Sequence, residues 1–176
     1  MGILIRQEIH EDYYETEEVV RRAFINEEYS DKTEHFLVNR IRNSDAFIPE
    51  LSLVSVNQED KIVGHILLSK IQINDGVRSV ESLALAPVSV IPEFQRRGIG
   101  SQLIRAALEK TKELGYQSVI VLGHKEYYPR FGFKQANIWN IKAPFDVPNE
   151  LFMALELADG SLENVQGVVE YSAAFS

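Results

Sequence analysis

The feature that most constrains this chain is a change of hydrophobic period around Gly98-Ile99-Gly100. Before it, apolar residues come in strand-like runs. After it they recur as Leu103, Ile104, Ala107, Leu108 and Leu114, the spacing of one helix face, and Gly115 stands where a left-handed residue closes such a helix. Residues 118–122 then form a continuous apolar run of the buried-strand type. A strand, a two-glycine turn, a helix and another strand make a crossover that returns the chain in the same direction, so the two strands are parallel.

The remaining pattern is mostly antiparallel. Residues 3–9 predict a short first strand. Asp12 is placed to cap a helix carrying Val19, Val20, Ala23 and Phe24, and a second helix presents Phe36, Leu37 and Ile41 before Asn43-Ser44 closes it. Residues 51–56, 62–73 and 80–90 read as three strands of a meander, separated by turns at residues 58–61 and at Asn74-Asp75-Gly76. Residues 133–136 and 151–157 are later strand candidates, and residues 165–171 a last edge strand. No repeat or flexible linker divides the 176 residues. The expectation is one α/β (α+β) domain over residues 1–176, with a core of about residues 3–157 and a C-terminal extension.

Composition narrows the function. The net charge of −8 speaks against a general nucleic-acid binder, which neutralises phosphates with Lys and Arg. Cysteine is absent, which excludes disulfides, thiolate metal sites and a cysteine nucleophile. His10, His35, His65 and His124 lack metal-ligand spacing, so no metal site is expected. Arg6 and Glu8 interrupt the N-terminus too early for a secretory segment, and no apolar run approaches the ~18 residues of a membrane span. A cytoplasmic protein without membrane contact is the resulting expectation.

The turn itself suggests an anion site. Free N–H groups at a helix start carry partial positive charge, and glycine lets the backbone approach phosphate oxygens. Arg96 and Arg97 add charge nearby. The dinucleotide fingerprint fails because its third glycine position holds Leu103, and no Gly-Lys-Ser/Thr follows as in a P-loop. On pattern alone, a tight strand-to-helix turn without a ligand remains the other reading.

The full string resembles the signature of the GNAT superfamily of acyl-CoA-dependent N-acyltransferases. Its Gln/Arg-x-x-Gly-x-Gly/Ala motif is met by Gln95-Arg96-Arg97-Gly98-Ile99-Gly100. Upstream, Leu85, Pro87, Val88, Val90 and Pro92 fit the approach to that motif; downstream, Tyr128-Pro129-Arg130-Phe131-Gly132-Phe133 fits a Tyr-x-x-x-Gly-Phe pattern. The resemblance implies a mixed, mostly antiparallel sheet flanked by helices, whose central parallel pair is splayed to admit acyl-CoA. It implies that Gln95 and the backbone of residues 97–101 (Arg97, Gly98, Ile99, Gly100 and Ser101), with Arg96 nearby, hold the pyrophosphate of acetyl-CoA. It further implies that the Val88-Ser89-Val90 stretch pairs with the pantetheine arm as an added strand.

The implied reaction transfers an acetyl group to a primary amine within a ternary complex, the acceptor being a small molecule or a peptide or protein amine. An amine of pKa about 10.4 is mostly protonated at pH 7, and reaching the neutral form costs about 4.6 kcal/mol, which favours a general base. Tyr128 matches the family's general acid for the departing thiolate, with Tyr127 in reserve. The strand position that holds a glutamate in many members is Ala84 here. The nearest acid, Glu81, and the loop residue His124 are the candidate bases. The acids of residues 27–34 (Glu27, Glu28, Asp31 and Glu34) are expected over the acceptor site, where they would attract a cationic amine. Residues 137–149, with Trp139 and Phe145, are expected to wall the same site. Homodimerisation is left open, and a non-catalytic acyl-CoA-binding module is the alternative function.

Overall fold

The computed structural model describes residues 2–28 and 30–176. Its centre is a meander of β2 (Ser52–Val56), β3 (Ile62–Asn74) and β4 (Ser79–Val90), with β1 (Leu4–Gln7) antiparallel to β2. The chain then crosses through α3 (Ile99–Glu113) to β5 (Ser118–Leu122), which lies parallel to β4, as the change of period requires. β8 (Phe152–Glu156) pairs antiparallel with β5, and β6 (Lys134–Gln135) with β8. The last strand, β9 (Gly167–Glu170), joins the far end of β3 and also pairs with β7 (Ile141–Lys142).

Strand alternation sorts the core into two main parts. Leu83 and Leu85 of β4 point to the first, where Leu103, Ile104, Ala107 and Leu108 of α3 bury one helix stripe. Truncating a fully buried side chain such as Leu103 there would cost about 2–5 kcal/mol. Ala84 points to the second, with Ile71, Ile73, Ile120, Phe152 and Val169. That core is bounded by β3, β4, β5 and β8 on one side and by β7 and β9 on the other. Two helices, α1 (Tyr13–Phe24) and α2 (Glu34–Arg42), add a smaller cluster around Val20, Val38, Ile41 and Leu67.

Some local expectations change. Asp12 stands before α1 but does not cap it. Its carboxylate is taken by Arg6 at 2.7 Å and by the Ile9 N–H at 2.9 Å, so it ties β1 to a short 3-10 turn. In α2 the buried positions are Val38 and Ile41, while Phe36 is 56% exposed. The polar edge of α2 is anchored instead by Arg42, whose buried guanidinium bonds Glu8 at 2.6 Å and Glu17 at 2.5 Å and lies 3.9 Å over the Tyr13 ring. Removing one partner of such a buried pair leaves an uncompensated charge, at a cost of about 3–5 kcal/mol.

Candidate active site at a forked strand pair

The site begins where β4 leaves β5. The two strands pair only at Leu83–Val119 and Ala84–Ile120, whereas β4 runs on to Val90 beside β3. The register between β3 and β4 slips, since Ile66 faces Val88 but Leu68 faces Leu85. Ala86 and Pro87 are therefore a bulge, where a residue without an N–H is tolerated. Past it, the Ile91 N–H donates to Val63 of β3 at 3.0 Å. Peptide groups alternate sides along a strand, so the carbonyls and amides of Val88 and Val90 face away from β3 and into the fork. The Val90 carbonyl there accepts from Gln95 Nε2 at 2.8 Å. Ser89 turns the other way, its buried side chain lying opposite His65 in the β3 register.

The β4 strand then meets the start of α3. Gly98 precedes the helix with φ 81° and ψ 6°, a conformation open to glycine and strained for other residues. Arg96 is also left-handed, with φ 64°. Among the described residues, no N–H from Arg96 to Ser101 donates to a protein acceptor, and the first helical bond runs from Gln102 to Gly98 O at 3.0 Å. Of these residues, all but Arg97 border a cavity of about 390 Å³ lined also by Val90, Gln95, Tyr127 and Arg130. Beyond its own chain neighbours, no atom of the described residues lies within 4 Å of where a Gly98 side chain would begin. The space over the helix start is thus kept free by the backbone, and its donors suit a diphosphate.

The charge around it has the matching sign. The one acid of the turn, Glu93, is drawn off to Arg22 of α1. Arg130 lies 5.3 Å over the Tyr127 ring and lines this cavity with Arg96. Arg97 lies 4.9 Å over the Phe94 ring and lines the adjoining pocket that shares Phe94 and Ile99, so the three make a basic patch on an acidic protein.

Tyr127 and Tyr128 divide two positions between them. The Tyr127 hydroxyl is hydrogen-bonded to Ser101 Oγ at 2.9 Å, which puts it on the helix start. Tyr128 opens a 3-10 turn over Tyr128–Phe131, and both N–H groups donate to His124 O, at 3.1 Å from Tyr127 and 3.3 Å from Tyr128. The helical turn therefore begins at Tyr128 itself. The Tyr128 ring is buried edge-on to Phe133, at 5.7 Å between centroids, and it lies flush against Gly123 just after β5. A Cβ on Gly123 would come within 2.3 Å of Tyr128 Cε2, so glycine there is what admits the ring. Burial, with a smaller contribution from Tyr127, pushes the Tyr128 hydroxyl up to about 12. It is a neutral proton donor throughout the physiological range.

The candidate bases stand apart from this group. Glu81 is exposed in a groove with Lys70 and Gln72, four residues before Leu85 and so about 13 Å back along β4. His124 is exposed, and its carbonyl rather than its ring organises the tyrosine turn. Ala84, at the point where β4 and β5 part, is buried and carries no acid.

A second cavity, of about 710 Å³, opens at the fork. It is lined by Ala84, Leu85 and Ala86 of β4, Ile120 and Leu122 of β5, Leu37 of α2, Pro144 and Phe145, and residues 168–172 and 175–176. None of Glu27, Glu28, Asp31 and Glu34 lines it, contrary to expectation. Their segment is held by local bonds, Ser30 Oγ to Glu34 at 2.5 Å and Asp31 to the Thr33 N–H at 2.9 Å. Asp31 and Glu34 border a smaller neighbouring cavity with Arg40, whose charge opposes theirs. The lining from residues 168–172 and 175–176 carries no motif by which the sequence would mark it as part of a site.

Residues 6–133 match the model of the acetyltransferase (GNAT) family. The uncharacterized N-acetyltransferase YjhQ of Escherichia coli strain K12 is 38% identical over 140 residues, 79% of this chain and 74% of that protein. The crystal structure of the E. coli GNAT family N-acetyltransferase YhbS in complex with CoA superposes with a TM-score of 0.87 and 27% identity, covering 98% of this chain and 91% of that one. A GNAT family acetyltransferase from Brucella melitensis in complex with acetyl-CoA gives a TM-score of 0.81 and 32% identity over 99% of each chain. The forked strand pair, the open helix start and these likenesses agree: the chain belongs to the GNAT family of acetyltransferases.

Proposed function

We propose that the chain transfers an acetyl group from acetyl-CoA to a primary amine, which attacks the thioester directly while both substrates are bound. The observation that carries this reading is the run of unpartnered amides at the start of α3, beside a strand edge that points into a fork. The amides of Arg97, Gly98, Ile99, Gly100 and Ser101, with Arg96 and Arg97, hold the diphosphate, and Gln95 steadies the end of β4. Val88 and Val90 offer their backbone groups to the amide-bearing arm. Acetyl-CoA supplies the activated acyl carbon.

Tyr128 donates a proton to the departing thiolate, and its high pKa keeps that proton available at neutral pH. The acceptor enters through the second cavity. With Ala84 where a strand carboxylate would serve as base, the amine's proton leaves through water, for which Glu81 and His124 are the nearest titratable groups considered. The absence of a carboxylate at Ala84 also favours a second reading, a non-catalytic acyl-CoA-binding module. Release of free thiol from acetyl-CoA across a panel of amines separates the two. Turnover that Tyr128→Phe lowers about a hundredfold is the expected result; CoA binding with no turnover on any amine would leave the module.

A further inference from the structure

We infer that the acceptor is a primary monoamine bearing one apolar body, aromatic or branched alkyl, and not a polyamine or a lysine-bearing polypeptide. This rests on the acetyl-transfer reading above, whose substrate class it names. The second cavity is continuous with the fork, because Ala84, Leu85 and Ala86 on one side and Ile120 and Leu122 on the other border both. An amine held there has its nitrogen end directed to where the strands part.

The chamber walls are apolar in an unusual way for a surface. Leu122 is 47% exposed, Phe145 46% and Val168 41%, three large side chains left open around one cavity. Apolar area gathered in one concave place marks a binding site rather than scattered surface residues. Aromatic rings complete it: Phe145 and Tyr171 are nearly parallel, 16° apart at 6.2 Å, and Phe175 meets Tyr171 at 5.1 Å. A volume of about 710 Å³ takes a small molecule of one or two rings.

Charge decides between classes of amine. No Lys or Arg lines the chamber, and Glu170 is the one carboxylate side chain among the described lining residues. Its Oε1 accepts from Asn74 Nδ2 at 3.3 Å, at the rim. Within the chamber a single side-chain carboxylate offers one counter-charge to one entering ammonium. Asp31 and Glu34 border the neighbouring cavity beyond Leu37 and Phe175, where Arg40 opposes their charge. The second and third ammonium groups of a polyamine would be desolvated with no partner. Deeper in, apolar walls disfavour the ammonium and so favour the neutral, nucleophilic amine. Desolvation here does part of what a strand carboxylate would do, which fits Ala84 at the fork. In the balanced reaction the N–C bond forms as the C–S bond breaks. The amine loses one proton to water, the thiolate gains one from Tyr128, and solvent restores the tyrosine.

Much of the chamber wall comes from residues 144–176, outside the matched span of residues 6–133. Acceptor choice is thus carried largely by the part of the chain that the family model does not describe.

The test compares kcat/KM at saturating acetyl-CoA for 2-phenylethylamine, cyclohexylmethylamine, spermidine and a lysine-containing peptide. The two apolar monoamines are expected to exceed the others by about tenfold or more, as one well-filled apolar pocket allows. Phe145→Ser and Leu122→Ser, at half-exposed positions, are expected to lower kcat/KM for 2-phenylethylamine about tenfold, a clearly larger loss than either causes with spermidine. Equal or better turnover of spermidine or the peptide, or variants that lower every amine alike, would overturn the inference. Calorimetric titration of the CoA-loaded protein with 2-phenylethylamine is the second measurement. Binding is expected, and its absence with CoA bound defeats the inference alone, whereas failure of CoA itself to bind defeats the acetyl-transfer reading and the inference with it.

Discussion

The two ends of the fork are neighbours on β4, at Val90 and at Ala86, yet they are made of different material. The cradle at the start of α3 is built from peptide groups: free amides, a left-handed glycine and a strand carbonyl held by Gln95. The chamber beyond the bulge is built from side chains contributed by α2, β4, β5, the residue 144–145 segment and the tail. A backbone site changes only when the main chain changes, which suits the donor of the proposed reaction. A side-chain site can be re-lined one residue at a time while the scaffold stays. The pairing explains how a common donor and differing acceptors fit on one fold.

The largest effect is expected where the backbone is broken. Gly98→Pro forces φ from 81° to about −65° and removes an N–H from the cradle. Hydrogen bonds to a charged group are worth about 1.5–3 kcal/mol each, so losing this one while the changed φ turns a neighbouring amide away weakens CoA binding by about a hundredfold or more. Calorimetry measures this, with circular dichroism as the check that the exposed turn has not unfolded the protein. Affinity within threefold of the parent would mean that the cradle does not hold the diphosphate.

Tyr128→Phe comes next and sharpens the contrast, because it touches neither cavity wall in the cradle nor the chamber rim. About a hundredfold loss of kcat is expected, the scale of a general acid, with CoA affinity unchanged. Since burial pushes this hydroxyl up to about 12, the acid form persists below that value and is lost only above it. The parent kcat at saturating amine therefore shows no alkaline decline up to pH 10, and a decline near pH 8 would exclude Tyr128 as the donor. Gly123→Ala tests the same geometry from outside, since its methyl group meets the Tyr128 ring and should lower kcat without altering the hydroxyl itself.

The same contrast decides what could be read from the residues. The cradle was legible because its determinants are contiguous, a six-residue motif after a strand and before a helix. The parallel pair was legible because helix α3 is long enough for its period to fix a crossover. The chamber was not, because Leu37, Leu122, Phe145, Val168 and Phe175 are scattered and share no spacing. Short elements also misled. Nine-residue α2 leaves its phase open by one position, so Phe36 reads as core although Val38 takes that place. Two-residue β7 carries no period at all, yet its pairing with β9 closes the second core. The acids of residues 27–34 suggested a substrate by their sign, but local hydrogen bonds and Arg40 answer them first.

A smaller effect is expected from the basic patch. Arg97→Ala removes an exposed charge that stacks on Phe94, so it should weaken CoA binding only about two- to fivefold at low salt, since exposed ion pairs contribute ~1 kcal/mol or less. The difference should shrink in 0.5 M salt, where the screening length falls to about 4 Å. A salt-independent loss would assign Arg97 a buried, geometric contact instead.

The smallest expected effect is also the most direct test of the division between the two ends. Among the described residues, none lines both the cradle and the chamber. Sites without shared partners add independently to within about 0.5 kcal/mol, a factor of about two. Phe145→Ser should therefore change CoA affinity less than twofold, in the parent and equally in Arg97→Ala. A coupling well beyond that in the double-mutant cycle would mean that β4 transmits strain from the bulge at Ala86 and Pro87 to the helix start. Donor and acceptor would then be selected together, and re-lining the chamber could not leave the diphosphate site untouched.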